Sequence, residues 1–234
     1  PLAGARFRIW NDRGYDQEYE TNEEGEIIVP HVLHGSYNLQ ELQAPFGYWI
    51  EDDQRDPVQF EVDDQGFIGL EDQTDIRSDL LTIERKNTPV HISTTAESES
   101  GTKYGVISDT VTIIDTVEYH GCTPGETYTL SGELHVAIVD DDGNTIDGGA
   151  LEDASGSALV SHTTFVPDSY EGLQEVSFTV DGAYLSGATV VVFEELTCND
   201  KLIAEHADIT DKGQTVYFSE TPVSSIIDNP IIKE

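Results

Sequence analysis

Apolar residues recur at every second position in segment after segment of this chain, a period that suits an extended strand with one buried face. Ala5-Arg6-Phe7-Arg8-Ile9-Trp10 sets Phe7 and Ile9 on one side. Ile27, Ile28 and Val29 follow a turn-rich Asn22-Glu23-Glu24-Gly25. Tyr37-Asn38-Leu39-Gln40-Glu41 alternates again, then Val58, Phe60 and Val62, a turn at Asp63-Asp64-Gln65-Gly66, and Leu81 and Ile83. No window carries a capped helical stripe, although the stretch from Glu71 to Asp79 has room for a short turn. Asn87-Thr88-Pro89-Val90 reads as a boundary, because a residue before proline is pushed into extended backbone and the alternation restarts at Ile92. Strands are then predicted near 91–97, 110–119, 127–139, 159–166, 174–181, 188–197, 202–206 and 213–218. The reading is all-β: two tandem antiparallel β-sandwich domains, residues 1–88 and 89–234, on a linker too short to be floppy.

Several polar side chains break this alternation by falling in step with the apolar face of their own strands. In the second domain Thr94 shares parity with Ile92 and Ala96, and Asp115 with Val111, Ile113, Val117 and Tyr119. Glu194 is in step with Val190, Val192 and Leu196, His206 with Leu202 and Ala204, and Gln214 with Val216 and Phe218. Any one of these is explained by a strand end that reaches solvent. Five together, comprising a hydroxyl, two carboxyls, an imidazole and an amide, point to one buried cluster. An unpaired buried charge costs several kcal/mol, so the members must bond one another. Two carboxyls in one apolar site share a proton, which keeps one neutral at pH 7. A hydroxyl, a base and an acid pair also form the parts of a reaction centre.

Charge narrows the partners. Eleven Lys plus Arg against 46 Asp plus Glu give a net charge of −35. Such a chain repels nucleic acid and an anionic membrane surface, and it suits a solvated extracellular protein or a halophile. No apolar run approaches membrane-spanning length, no leader or sorting tail is visible, and a chain without methionine is expected to be a piece of a longer protein. Asp140-Asp141-Asp142-Gly143-Asn144 fails the calcium-loop template, since Ile138 would hold the first ligand position, and reads as a hairpin turn. His31, His34, His91, His120, His135 and His162 lack ligand spacing, so neither metal nor cofactor is expected. Trp10, opposite Phe7 and Ile9, fits either an interface or a binding patch.

Ser93-Thr94-Thr95-Ala96, Asp115-Thr116-Val117-Glu118-Tyr119, Pro124-Gly125-Glu126-Thr127-Tyr128, Val191-Val192-Phe193-Glu194 and His206-Ala207-Asp208 followed by Gln214-Thr215 resemble the VaFE-repeat, or ester-bond, domains of Gram-positive surface adhesins. The resemblance runs from 91 to about 220 and implies an intramolecular ester between Thr94 and Gln214, promoted by His206, Asp115 and Glu194. In that chemistry His206 takes the threonine proton, a protonated member of the acid pair polarises the Gln214 oxygen, and ammonia leaves. Cys122 follows one strand end and Cys198 shares the face of Glu194, so the two stand near enough for a bridge, with the thiol form equally open.

Pro1-Leu2-Ala3-Gly4-Ala5-Arg6-Phe7, Gly35-Ser36-Tyr37 and Glu41-Leu42-Gln43-Ala44-Pro45-Phe46-Gly47-Tyr48 resemble SpaA-type (Cna B-type) pilin domains. That family implies a Lys–Asn isopeptide bond promoted by a buried glutamate, with Glu41 as the promoter and Asn87 as the acceptor. The donor departs from the pattern: the family's lysine precedes the Pro-Leu-Ala-Gly-Ala segment, and Lys86 adjoins Asn87 on the opposite face. No isopeptide bond is therefore expected within this chain, the first strand being absent from it. Together the resemblances imply a stalk module of a cell-wall-anchored adhesin or pilus-like fibre on the Gram-positive surface, monomeric and joined to neighbouring domains of the same protein. A host matrix or glycan ligand belongs to a rival reading as an adhesive module, and a hydrolase using Thr94, His206 and Asp115 is a third.

Overall fold

The computed structural model describes residues 1–29, 31–70 and 81–218; the turn expected within 71–79 lies outside them. The chain divides into a compact unit Pro1–Val90 and a second that begins at His91.

In the first unit β1 (Arg6–Trp10), β2 (Asp16–Glu20), β3 (Gly35–Gln43), β5 (Val58–Val62) and β6 (Ile68–Leu70) form an antiparallel sheet in the order β2-β1-β3-β5-β6, while β4 (Tyr48–Trp49) pairs with β7 (Thr88–Pro89). The alternation read from sequence sets the inner face. Ile9, Tyr37, Phe60 and Val62 form its buried core, and Tyr37 stacks on Phe60 at 5.3 Å. Val29, Leu81 and Ile83 pack against that core without joining a ladder, so Ile27–Val29 is not a strand. Strand β2, Asp-Gln-Glu-Tyr-Glu, carries no apolar alternation. It is an edge strand held by ladder bonds and by Arg6–Glu18 and Arg8–Asp16 ion pairs to β1. Trp10 is half-buried, with the Arg8 guanidinium 4.8 Å from its ring centroid.

The second unit opens with β8 (His91–Ser98), β9 (Tyr104–Gly105), β10 (Thr110–His120), β11 (Tyr128–Val139) and β12 (Thr145–Ala150). It continues with β13 (Val160–Phe165), β14 (Glu171–Asp181), β15 (Thr189–Cys198), β16 (Lys201–His206) and β17 (Thr215–Phe218). One sheet runs β14-β10-β8 and the other β12-β11-β15-β17-β9, with β13 on β11 and β16 on β15. Their buried faces supply Ile113, Val117, Val176 and Phe178 on one side and Leu130, Leu134, Val192 and Leu196 on the other. Each large side chain fully buried in this way stabilises the fold by about 1.5–3 kcal/mol. Strands β9 and β12 were not foreseen, because one has two residues and the other, Thr-Ile-Asp-Gly-Gly-Ala, is sustained by its hairpin with β11. The hairpin turn is the acidic segment, with Asp140 accepting from the backbone of Asp142 and Asn144.

One edge of β15 has two successive partners. Strand β16 covers Glu194–Cys198 and β17 covers Thr189–Val191. The chain from 207 to 214 bulges out between them and returns at Gln214, whose carbonyl accepts from Val192 N. This break in an otherwise regular edge is what admits a side chain into the core.

Candidate functional site

Parity places four of the five polar residues inside. Asp115, Glu194 and Gln214 are 0% exposed and Thr94 is 6% exposed. His206, at the end of β16, is half-buried. Register then brings them together. Thr94 lies opposite Val117, so Asp115 is its diagonal neighbour on the inner face of the β8–β10 pair. Glu194 lies opposite His206 across β15 and β16. Gln214 reaches the same place from the break in the edge.

The Gln214 amide is held at all three polar positions by backbone. Its Nε2 donates to Val192 O and to His206 O, both at 2.7 Å, and its Oε1 accepts from Asp208 N at 3.3 Å. The oxygen is thus polarised by a main-chain N–H and not by a carboxyl of the acid pair, as the sequence reading has it. Tight turns in the bulge explain this. Thr210 N donates to Asp208 Oδ1, Gly213 N to Asp211 Oδ1, and Thr215 Oγ1 to Asp211 O, which turns the Asp208 N–H inward.

Six polar atoms in the cluster are buried without a conventional partner: Thr94 Oγ1, both oxygens of Asp115, both of Glu194, and His206 Nδ1. Two ionised carboxylates are acceptors only and cannot satisfy one another. Burial raises the proton affinity of both acids. For Asp115 the neighbouring Glu194 and the Thr94 hydroxyl partly offset that rise, whereas for Glu194 the charge of Asp115 adds to it. Burial and mutual repulsion therefore favour a proton shared within the pair. His206 Nε2 stands 3.1 Å from Asp211 Oδ2, which fixes the N–H on that nitrogen and leaves the lone pair on the buried Nδ1.

Asp211, the Asp208 N–H and Gly132 escaped the sequence reading. Gly132 faces Glu194 in the β11–β15 register, where a side chain would occupy the carboxyl's place. All three depend on loop conformation or cross-strand register, which parity does not encode. Cys122 and Cys198 are buried free thiols and not the bridge considered above. Burial, then the neighbouring Cys198, pushes the Cys122 thiol up to about 12, and burial raises Cys198 as well, so both remain in the unreactive thiol form.

The first unit holds a smaller cluster. Glu41, 3% exposed, accepts at Oε1 from Asn87 Nδ2 at 2.8 Å. Glu41 Oε2 and Asn87 Oδ1 are buried without a partner. Burial raises the Glu41 proton affinity, against the pull of Asn87 and Arg85. Lys86, the one lysine in residues 1–90, is exposed.

Two β units in one chain, the second built round a buried hydroxyl, amide and acid pair, define the class: tandem β-sandwich modules with the parts of a cross-linking site. The chain belongs to the family of T-Q ester bond containing domains, whose model matches residues 90–218, and residues 1–75 match the SpaA prealbumin-like fold domain. No curated protein matches. Among solved structures, it is similar to an adhesin from Mobiluncus mulieris containing intramolecular disulfide, isopeptide and ester bond cross-links, at 17% identity and a TM-score of 0.40 over 55% of this chain and 57% of that one. It therefore spans a little over half the length of that adhesin. The major pilin BcpA of Bacillus cereus is 18% identical at a TM-score of 0.31 over 93% of this chain and 64% of its own. The major pilin SpaD of Corynebacterium diphtheriae is 14% identical at 0.35 over 92% and 66%.

Proposed function

We propose that the second unit ties itself together by a single-turnover reaction in which Thr94 Oγ1 attacks Cδ of Gln214. The carbon–oxygen bond forms, the carbon–nitrogen bond breaks, and the threonine proton passes through His206 to the departing ammonia. His206 serves as the base through Nδ1, positioned by Asp211. Asp208 N–H steadies the negative charge that develops on Gln214 Oε1. Ionised Asp115 accepts from the Thr94 hydroxyl and orients it, while neutral Glu194 lets two acids share the site. The observation that carries this reading is the burial of hydroxyl, amide and acids in one cluster, which shields the product ester from bulk solvent and so from hydrolysis. A hydrolase with external substrates is disfavoured by the same burial.

A bond from β8 to the chain just ahead of β17 joins the first strand of the unit to its last described one. Pulling force then passes through covalent chemistry and bypasses the hydrogen-bonded core. That is the property required of a stalk module in a cell-wall-anchored adhesin or pilus-like fibre at the Gram-positive surface, with neighbouring domains of the same protein as its partners. In the first unit, Glu41 and Asn87 are the promoter and acceptor halves of an isopeptide site that needs a lysine other than Lys86. Tandem mass spectrometry of a proteolytic digest tests the assignment. A branched peptide pair joining the segments that hold Thr94 and Gln214 is expected, and linear peptides alone would contradict it.

A further inference from the structure

The segment between β8 and β10 sends one side chain back toward the site. Lys103 Nζ donates to Ala96 O and to Gly213 O, both at 2.5 Å. Gly213 O also accepts from Ala96 N at 2.8 Å, and Lys103 O accepts from Tyr217 N at 2.7 Å. Ala96 lies two residues beyond Thr94 on β8, and Gly213 immediately precedes Gln214. The lysine is carried there by β9, which adds to the edge of β17 in parallel register through Tyr104 and Gly105. A Cβ on Gly105 would fall 2.0 Å from the Phe218 ring, so the glycine is what lets β9 lie this close.

We infer that Lys103 is a positioning residue for ester formation: its ammonium bridges the carbonyls of the two segments to be joined and sets the Thr94 strand against the backbone of Gln214. The inference rests on the ester reading above. An ammonium has three donors and no acceptor, and its two short bonds to main-chain carbonyls reinforce the single backbone bond from Ala96 N to Gly213 O that joins the two segments. The acids around it are Glu97 on β8, Asp115 on β10 and Asp211 in the bulge. Its charge favours the ionised form of Asp115, whose other neighbours are Glu194, Thr94 and Asp211, the last opposing ionisation. The His206 imidazole lies one step further away, on Asp211. Lys103 therefore braces the reacting strands and biases which acid keeps the proton.

The test is a time course of ester formation in full chains synthesised in vitro, quenched in denaturant and read by intact mass across a range of pH. Wild type should become one ammonia lighter. Lys103→Met should react at least about tenfold more slowly, with its pH–rate profile displaced to higher pH because Asp115 ionises later. Lys103→Arg, which keeps charge and donors, should restore the profile and part of the rate. Lys103→Met reacting at the wild-type rate, or slowed with an unmoved profile, overturns the inference and leaves the ester standing. A wild type that never loses ammonia overturns the ester reading itself. Should Lys103→Met not fold, the arginine variant decides: folding restored without ester formation overturns the inference, and both restored support it.

Discussion

Gly132 lies directly opposite Glu194 in the β11–β15 pair, and a Cβ at that position would stand 2.3 Å from Glu194 Oε1 and 2.6 Å from the Phe178 ring. The missing side chain is the space in which the carboxyl sits. Gly132→Ala should push that carboxyl off Asp115, slow ester formation by at least about tenfold and destabilise the unit by about 1–3 kcal/mol. Intact mass of freshly made chains reads the first effect, and thermal denaturation the second.

The acid pair gives an uncross-linked variant an unusual pH dependence. In Thr94→Ala, Glu194 and Asp115 have folded-state proton affinities raised above those of the unfolded chain by burial. The folded state then binds more protons than the unfolded one, so stability falls as pH rises above the ordinary carboxylate range toward the raised values. Acids held low by hydrogen bonds, such as Asp140 and Asp153, act with the opposite sign, and only as pH falls below that range. Denaturant midpoints of Thr94→Ala should therefore decline from mildly acidic to neutral pH. Adding Glu194→Gln should flatten the slope.

Much of this was legible in the order of residues, and the reason is the period of a strand. Thr94, Asp115 and Glu194 announce themselves because a polar group at an apolar parity position has nowhere to go but the core. Gln214 is legible for the same reason, through Val216 and Phe218. His206 is only half-buried, at a strand end where parity weakens. Glu41 and Asn87 were legible through the family resemblance alone, since Asn87 lies on backbone outside any strand. Strand β2 was not, because an edge strand is held by its partner's hydrogen bonds and needs no apolar code. Ile27–Val29 erred the other way: Val29 reaches the core from irregular backbone. The Asp208 N–H, Asp211 and Lys103 lie in turns or short segments whose direction is set by loop hydrogen bonds, and no spacing rule reports them.

The two tryptophans, Trp10 and Trp49, both lie in the first unit, so their fluorescence isolates its unfolding from that of the second. Glu41→Ala should lower that unit's stability by about 1–3 kcal/mol, because the buried Asn87 amide loses its acceptor. Glu41→Gln, which keeps a carbonyl in place, should cost less. Equal midpoints for wild type and Glu41→Ala would contradict the contact.

Burial and raised proton affinity predict that Cys122 and Cys198 resist thiol reagents in the folded protein. Counting labelled sites by mass should give none under native conditions and two after denaturation without reductant. None after denaturation would mean that the pair is oxidised.

The central claim is that Thr94 and Gln214 become one covalent unit, closing a loop on the order of a hundred residues and stabilising the fold by about 5 kcal/mol on a chain-entropy estimate. Intact mass under denaturing conditions tests it most directly. Wild type should weigh one ammonia less than its sequence, while Thr94→Ala and Gln214→Ala should each weigh what theirs dictate. A wild-type mass equal to that of the unmodified sequence would contradict the account.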